Sequence, residues 1–405
     1  MSELSKSGMY HFDEQQLLPA EEKLEVRKRL QKINIGLPAN FKTDEQCFPL
    51  TPQAVEMLVN AGHEVIVEAG AGLKARYTDL EYTEAGAIVT QNKAAVFHCD
   101  FVLKVAPFYS EEIDLLKGNQ VLFSMLHVDS QNQDAIKKLI KKKVTSIAFE
   151  YMKDEMDGLP VMQSLSEISG IVSMNVASEL LCYSESGKGV LLGGVTGISP
   201  ASVLILGSET AAEYATRAAL GLGAEVKIFD NSVSKLRVFE RKFNHKIFTS
   251  LYYPRVLEKA ISSADVVLGA QPFNSVPNYV LPREYVQKMK EGSIIIDLNA
   301  SQGGCFETTR CTSLSNPTYI VDGVIHHCVP NISARVSRTT TIALSNIFAS
   351  VLLEIGEIGG IAHYIKSMKG FRDGVYIYNG ILTNKDLGNK FNLPSKDLDL
   401  MMAAF

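Results

Sequence analysis

What this sequence lacks narrows its chemistry first. Its six cysteines, Cys47, Cys99, Cys182, Cys305, Cys311 and Cys328, include no Cys-x-x-Cys pair. That spacing argues against a zinc cage, and a chain of 405 residues does not rely on a disulfide framework. Basic residues are not in excess: 40 lysines and arginines face 45 aspartates and glutamates, for a net charge of −5. No global field therefore draws the protein to nucleic acid or to an anionic membrane. The lysine run from Lys137 to Lys143 follows a helical pattern and reads as a solvated helix end. Apolar runs of the roughly 20 residues that a membrane span needs are missing too. The most apolar stretch, Thr339 to Ile355, contains serine and asparagine and reads as a buried helix. The opening residues, "MSELSKSGMYHFDEQQ", have no apolar centre, so no secretory signal is expected and a reducing cytoplasm fits best.

What is present is the balance of a soluble enzyme-sized chain, 46% apolar and 21% charged, long enough for two domains. Pro19 opens a charged helix, "PAEEKLEVRKRLQ", expected as a surface arm. "INIGLPA" reads as a first buried strand. Thr51 and Pro52 then cap a helix that stops at Gly62. Short apolar runs follow, "EVIVEAG", "FVLKVAP", "VLFSML" and "VTSIAFE", separated by polar helical stretches. That alternation predicts a parallel sheet with crossover helices. The pattern restarts after "PVMQSLSEISG" with a helix through "IVSMNVASELLCY" and strands "SVLILG", "EVKIFD", "DVVLGA" and "SIIIDLNA". The closing "DGVYIYNGILTN" has no sheet of its own and is expected to return to the first unit.

The second series opens with "VLILGSETAAEYATRAALGLGAEVKIFD", Val203 to Asp230. A strand, a turn at Gly207, a helix, a second strand and a closing acid follow the plan of a dinucleotide-binding unit, with Asp230 about 20 residues on to take the ribose hydroxyls. That acid favours NAD over its 2′-phosphorylated form. Gly207 supplies the first loop glycine and Ala212 is an accepted third residue, but Glu209 stands where the second glycine lets backbone approach the diphosphate. A carboxylate about 5 Å from a phosphate charge costs about 3 kcal/mol at an effective dielectric of about 20. NAD would be weakened by roughly two decades unless Glu209 turns away or is protonated.

The chain as a whole resembles the alanine dehydrogenase family, related to the NAD-binding subunit of proton-translocating transhydrogenase. The resemblance runs from about Ile33 to Leu387. It is carried by "LTPQAVEMLVNAGHEVIVEAGAG", "VLKVAPF", "LHVD", "SLSEISG", "GKGVLLGGVTGISPASVLILG", "QGGCFETTR", "HHCVPN" and "SRTTTIALSN". No membrane subunit is fused to it, which favours the dehydrogenase. The resemblance implies NAD-dependent interconversion of L-alanine, or a related small amino acid, with its keto acid and ammonia, and a homo-oligomer, hexamer or dimer. It implies an α/β fold of two Rossmann-like domains flanking a cleft, the NAD-binding domain inserted into a discontinuous substrate domain. We place the arm at 1–32, the substrate domain at 33–162 and 339–405, and the NAD domain at 163–338.

By the same resemblance Lys104 matches the catalytic lysine and His127 the acid/base histidine, whose pKa near neutrality suits proton transfer. Ser166 matches a residue near the adenine and diphosphate end, Asp230 the ribose acid, and Asn331 lies on the loop that approaches the nicotinamide. Two positions depart from the family pattern. Cys47 stands where a substrate-binding arginine belongs, and Ser301 where an active-site aspartate belongs. Lys74 or Arg76 are the candidates to compensate. The pair His326 and His327 is not expected to share a metal, because neighbours on a strand face opposite ways. Two alternatives follow from the losses at Cys47, Glu209 and Ser301. One is a catalytically impaired homologue with weakened NAD binding, serving in binding or assembly. The other is a reductase of the saccharopine dehydrogenase kind.

Overall fold

The computed structural model describes residues 31–40, 45–128, 131–182, 187–271 and 280–403. The expected N-terminal arm lies almost wholly outside the described residues. In chain order the strands are β1 (Asn34–Leu37), β2 (Glu64–Glu68), β3 (Ile88–Thr90), β4 (Phe101–Leu103), β5 (Val121–Ser124), β6 (Thr145–Ala148), β7 (Ser202–Leu206), β8 (Glu225–Phe229), β9 (Phe248–Ser250), β10 (Val266–Gly269), β11 (Ile294–Asp297), β12 (Thr318–Val321), β13 (Val324–His327), β14 (Val375–Tyr378) and β15 (Ile381–Leu382). They form two sheets. One has the order β15-β14-β6-β5-β4-β1-β2-β3, the other β12-β13-β11-β10-β7-β8-β9. Pairing is parallel through both, apart from β14 against β6 and β15, and β12 against β13.

These segments become central strands because they are short, branched and apolar on both faces, which suits a sheet covered by helices on either side. Their alternate residues supply separate cores. Ile35, Leu37, Phe101, Leu103 and Phe123 share one with Phe348 and Leu352, while Val102 and Leu122 face another with Ile136 and Leu139. In the second sheet Val203, Ile205, Val266 and Leu268 pack on Val176 and Ala177, and Leu204, Leu206 and Val267 pack on Leu257 and Ile261. All strands of the second sheet lie in sequence between β6 and β14, so the second unit is inserted into the first. The closing segment hydrogen bonds onto β6.

Two long helices cross between the units. The Pro160–Cys182 helix is continuous, whereas the sequence pattern suggested a fresh start after Gly170. Gly170 does not interrupt it because the position is an approach point: a Cβ there would lie 2.3 Å from the Ala211 carbonyl oxygen and 2.8 Å from the Ala215 nitrogen. The Ser337–Ile358 helix carries the most apolar stretch. Together with the turn before it, Ile332–Ile358 is long and apolar enough to cross a membrane by composition, and it packs Leu344, Phe348, Leu352 and Ile355 into the first core. The boundaries expected at 162/163 and 338/339 thus fall within helices.

Candidate active site

Both sheets share one central order. β3-β2-β1-β4-β5-β6 and β9-β8-β7-β10-β11-β13 each reverse direction of winding beside their first strand. In open α/β sheets ligands settle at that reversal, outside the carboxyl ends of the strands. A cleft of about 1090 Å³ lies there, lined from the first sheet by the turns after β4 and β5 and from the second by Ala270, Gln271 and Leu298.

On the dinucleotide side, Gly207 adopts φ +106°, and a Cβ on it would sit 2.3 Å from the Ala270 carbonyl oxygen. Only glycine fits where these two chain turns meet. Ala212 is fully buried in the core beneath the Thr210–Gly221 helix, a packing position. Glu209 caps that helix with φ −87° and ψ −169°, ordinary extended backbone, and its side chain makes no capping bond to the first turn. The carboxylate instead meets Lys235 Nζ at 2.6 Å, with both side chains about half exposed. Ala211, two residues on, lines the cleft, and Glu209 is not among its described lining residues. The first-turn N–H groups are left without a side-chain partner from Glu209, the arrangement that suits an anion. Asp230 is buried at the end of β8. It accepts from the Ser208 hydroxyl at 2.7 Å and the Ser232 N–H at 2.9 Å, which fixes the acid beside the loop. Ser166 lines the cleft from the Pro160–Cys182 helix.

On the substrate side, His127 lines the cleft with φ +44°, left-handed for a side chain that rarely takes it. The side chain is exposed to the cleft, and partial desolvation by the surrounding protein lowers its pKa below the ordinary histidine value, keeping the imidazole neutral near pH 7. Asn331 and Ser301 also line the cleft.

Lys104 does not reach that surface. It is 1% exposed, its ammonium held by both Glu112 oxygens at 2.8 and 2.7 Å and lying 4.8 Å from the Tyr109 ring centre. Tyr109 and Phe108 form the cleft wall in front of it. Burial lowers the lysine's pKa and the Glu112 charge opposes that shift.

Cys47 is buried, and burial drives its thiol far above the usual range, so it offers neither a cation nor a thiolate. Neither compensating candidate lines the cleft: Lys74 donates to the Asn40 carbonyl at 3.0 Å, and Arg76 ends a short turn in left-handed conformation. Among the described lining residues there is no lysine or arginine. His326 stacks on Tyr319 at 5.0 Å, while buried His327 falls under the charges of Arg335 and Glu179, its pKa lowered to about 4 mainly by burial.

Two acids escaped the sequence reading. Glu45 lines the cleft, accepting from the Cys47 N–H at 2.7 Å and from the Asn331 amide, and burial raises its pKa. Glu150 is 3% exposed under the His127 turn. Glu45 sits in the polar run "TDEQC", which looks like a surface loop. Glu150 ends the strand-like "TSIAFE", where one acid carries no pattern.

Comparison with known proteins follows the same division. The family model described as alanine dehydrogenase/PNT, N-terminal domain, matches residues 36–169, and the C-terminal domain model of that family matches residues 173–385. The chain is 36% identical over 371 residues to the alanine dehydrogenase of Staphylococcus saprophyticus, covering 90% of this chain and 98% of the relative. It is 35% identical over 372 residues to alanine dehydrogenase 2 of Staphylococcus aureus, covering 91% and 99%. A solved L-alanine dehydrogenase superposes with TM-score 0.82 at 32% identity, over 89% of this chain and 99% of that one. A transhydrogenase from Sinorhizobium meliloti shares the fold, with TM-score 0.73 at 20% identity, covering 86% and 100%.

Proposed function

Because the chain belongs to the alanine dehydrogenase/PNT family, we propose that it is an NAD-dependent amino-acid dehydrogenase that interconverts L-alanine, or a related small amino acid, with its keto acid and ammonia. The observation that carries this reading is that Ala211 and Ala270, which flank the Gly207 turn, and His127 line one cleft. The residues present fit the cofactor. The Gly207 turn excludes a Cβ, the helix beginning at Thr210 lacks a side-chain cap from Glu209, and Asp230 stands where ribose hydroxyls need an acceptor. Ser166 and Asn331 bracket the cleft between those parts. When bound, the nicotinamide supplies the hydride acceptor or donor.

The chain's own residues do the rest. His127, neutral through desolvation, takes a proton at a ring nitrogen during deamination and returns it in the reverse direction. Lys104 polarises the keto or imine group, a role that requires its ammonium to exchange Glu112 for substrate. Neutral donors, Asn299, Ser301 and Gln302 on the opposite wall, take the place of a guanidinium for the substrate carboxylate. A charge-assisted fork is worth roughly 1.5–3 kcal/mol more than nothing, so KM for the keto acid is expected about 10- to 100-fold above that of an arginine-bearing site. A homo-oligomer in the cytoplasm is the setting the family suggests.

The test separates binding from chemistry. His127→Asn and Lys104→Met are each expected to lower kcat for NADH oxidation with keto acid and ammonium at least 100-fold, leaving NADH affinity by calorimetry unchanged. A Lys104→Met enzyme with full kcat would confine that lysine to its ion pair with Glu112. A fully active His127→Asn enzyme would remove the histidine from the mechanism.

A further inference from the structure

The turn after β5 holds His127 in a conformation that needs outside support. Its left-handed backbone is matched by a carboxylate beneath it: Glu150 Oε1 accepts from the Leu126 N–H at 2.7 Å and the His127 N–H at 3.1 Å. Successive N–H groups converging on one oxygen form the concave anion seat that a left-handed residue allows. Glu150 is brought there by the register of the sheet, in which Ser124 at the end of β5 pairs with Ala148 at the end of β6. The carbonyl of Leu126 is held from the other side by the Gln131 amide, so this peptide is clamped on both edges. Glu150 Oε2 is buried and finds no donor among the described residues. Among the described residues the titratable side chain facing the carboxylate is Tyr376 of β14, while His127 meets it through its main-chain N–H.

We infer that Glu150 is a positioning residue for His127, its buried carboxylate fixing the left-handed turn that aims the imidazole into the cleft. The inference rests on the reading of His127 as the proton carrier of the proposed reaction. Among the described residues the donors to Glu150 are main-chain N–H groups of the turn, so it acts through the turn. A buried acid with one oxygen unused by protein donors is costly for stability alone, and the return for that cost is the orientation of the ring.

The ring titration of His127, followed by NMR in the full-length protein and assigned with His127→Asn, tests this. In Glu150→Ala the turn loses its acceptor, the ring leaves its place against the cleft wall, and its pKa rises toward the ordinary histidine value. In Glu150→Gln an acceptor oxygen remains and the lowered pKa is kept. kcat follows the same order, falling roughly 100-fold in Glu150→Ala through misplacement and recovering to within about threefold of wild type in Glu150→Gln, with NADH affinity unchanged in both. Should Glu150→Ala fail to fold, Glu150→Asp withdraws the acceptor by one methylene while keeping the acid, and it is expected to shift the titration as alanine does. An unshifted His127 titration in the folded alanine or aspartate variant overturns the inference, as does a Glu150→Gln variant displaced as far as alanine. If wild type shows no turnover at all, the dehydrogenase reading falls while the titration still decides this one.

Discussion

Glu209 illustrates how the cost of a residue depends on where its side chain goes. The second loop position favours glycine because backbone must approach a diphosphate, yet Glu209 needs no left-handed backbone, and its carboxylate is taken by Lys235 at 2.6 Å. An exposed pair of this kind contributes little to stability, but it sets a positive charge against the carboxylate, which makes no bond to the first turn of the helix. Glu209→Gly is therefore expected to leave the NADH dissociation constant within about threefold of wild type, well under the two decades that an unpaired carboxylate would impose. Calorimetric titration of both proteins checks this, and a hundredfold tightening in the variant would mean that Glu209 obstructs the cofactor. The sequence alone could not decide the matter, since Lys235 lies a helix, a strand and a turn away. The turn at Gly207 and the place of Asp230 at the end of β8 were readable because both follow from local spacing. Glu45, Glu150 and the Lys104–Glu112 pair were not, because each depends on segments brought together only by the sheet.

At the scale of elements, the central strands were visible as branched apolar runs buried on both faces. The edge strands β3, β9 and β12 are only three or four residues long and half exposed, so they carry no comparable signal. The Pro160–Cys182 helix runs through the point after "PVMQSLSEISG" where the sequence pattern predicts a restart. Here Gly170 serves its contact with the Thr210–Gly221 helix. Gly170→Val is expected to destabilise the fold by about 1–3 kcal/mol through overpacking, measured by urea denaturation, and a neutral substitution would show that the helices can separate without cost. The turn after β6 makes a prediction about pH. Burial raises the Glu150 pKa from 4.5 to about 7, so the folded protein binds a proton that the unfolded chain releases between these values. Its contribution is fully present below about pH 4.5 and is lost as pH rises through about 7, a change of about 3 kcal/mol. The stability of wild type relative to Glu150→Gln should fall by that order across this range. A pH-independent difference would mean that Glu150 is ionised throughout.

For the whole molecule, the insertion of one sheet between β6 and β14 of the other sets two switch points against a single cleft. The alternation of apolar runs and the return of the final segment were readable in sequence, as was the family. The chemical character of the cleft was only half readable. Cys47 and Ser301 carry no charge, and neither Lys74 nor Arg76 is among the described lining residues. Affinity for a keto acid in this cleft then rests on neutral donors and, once released from Glu112, on Lys104. The central claim is that the cleft still turns over a small amino acid with NAD. Its most direct test is incubation of the purified protein with NADH, ammonium and pyruvate or a close keto-acid homologue, with the amino acid identified by mass spectrometry using deuterium-labelled NADH. The account predicts saturable formation of the amino acid carrying one deuterium at its α-carbon, lost in His127→Asn. NADH bound at its normal affinity with no labelled amino acid from any small keto acid would contradict it.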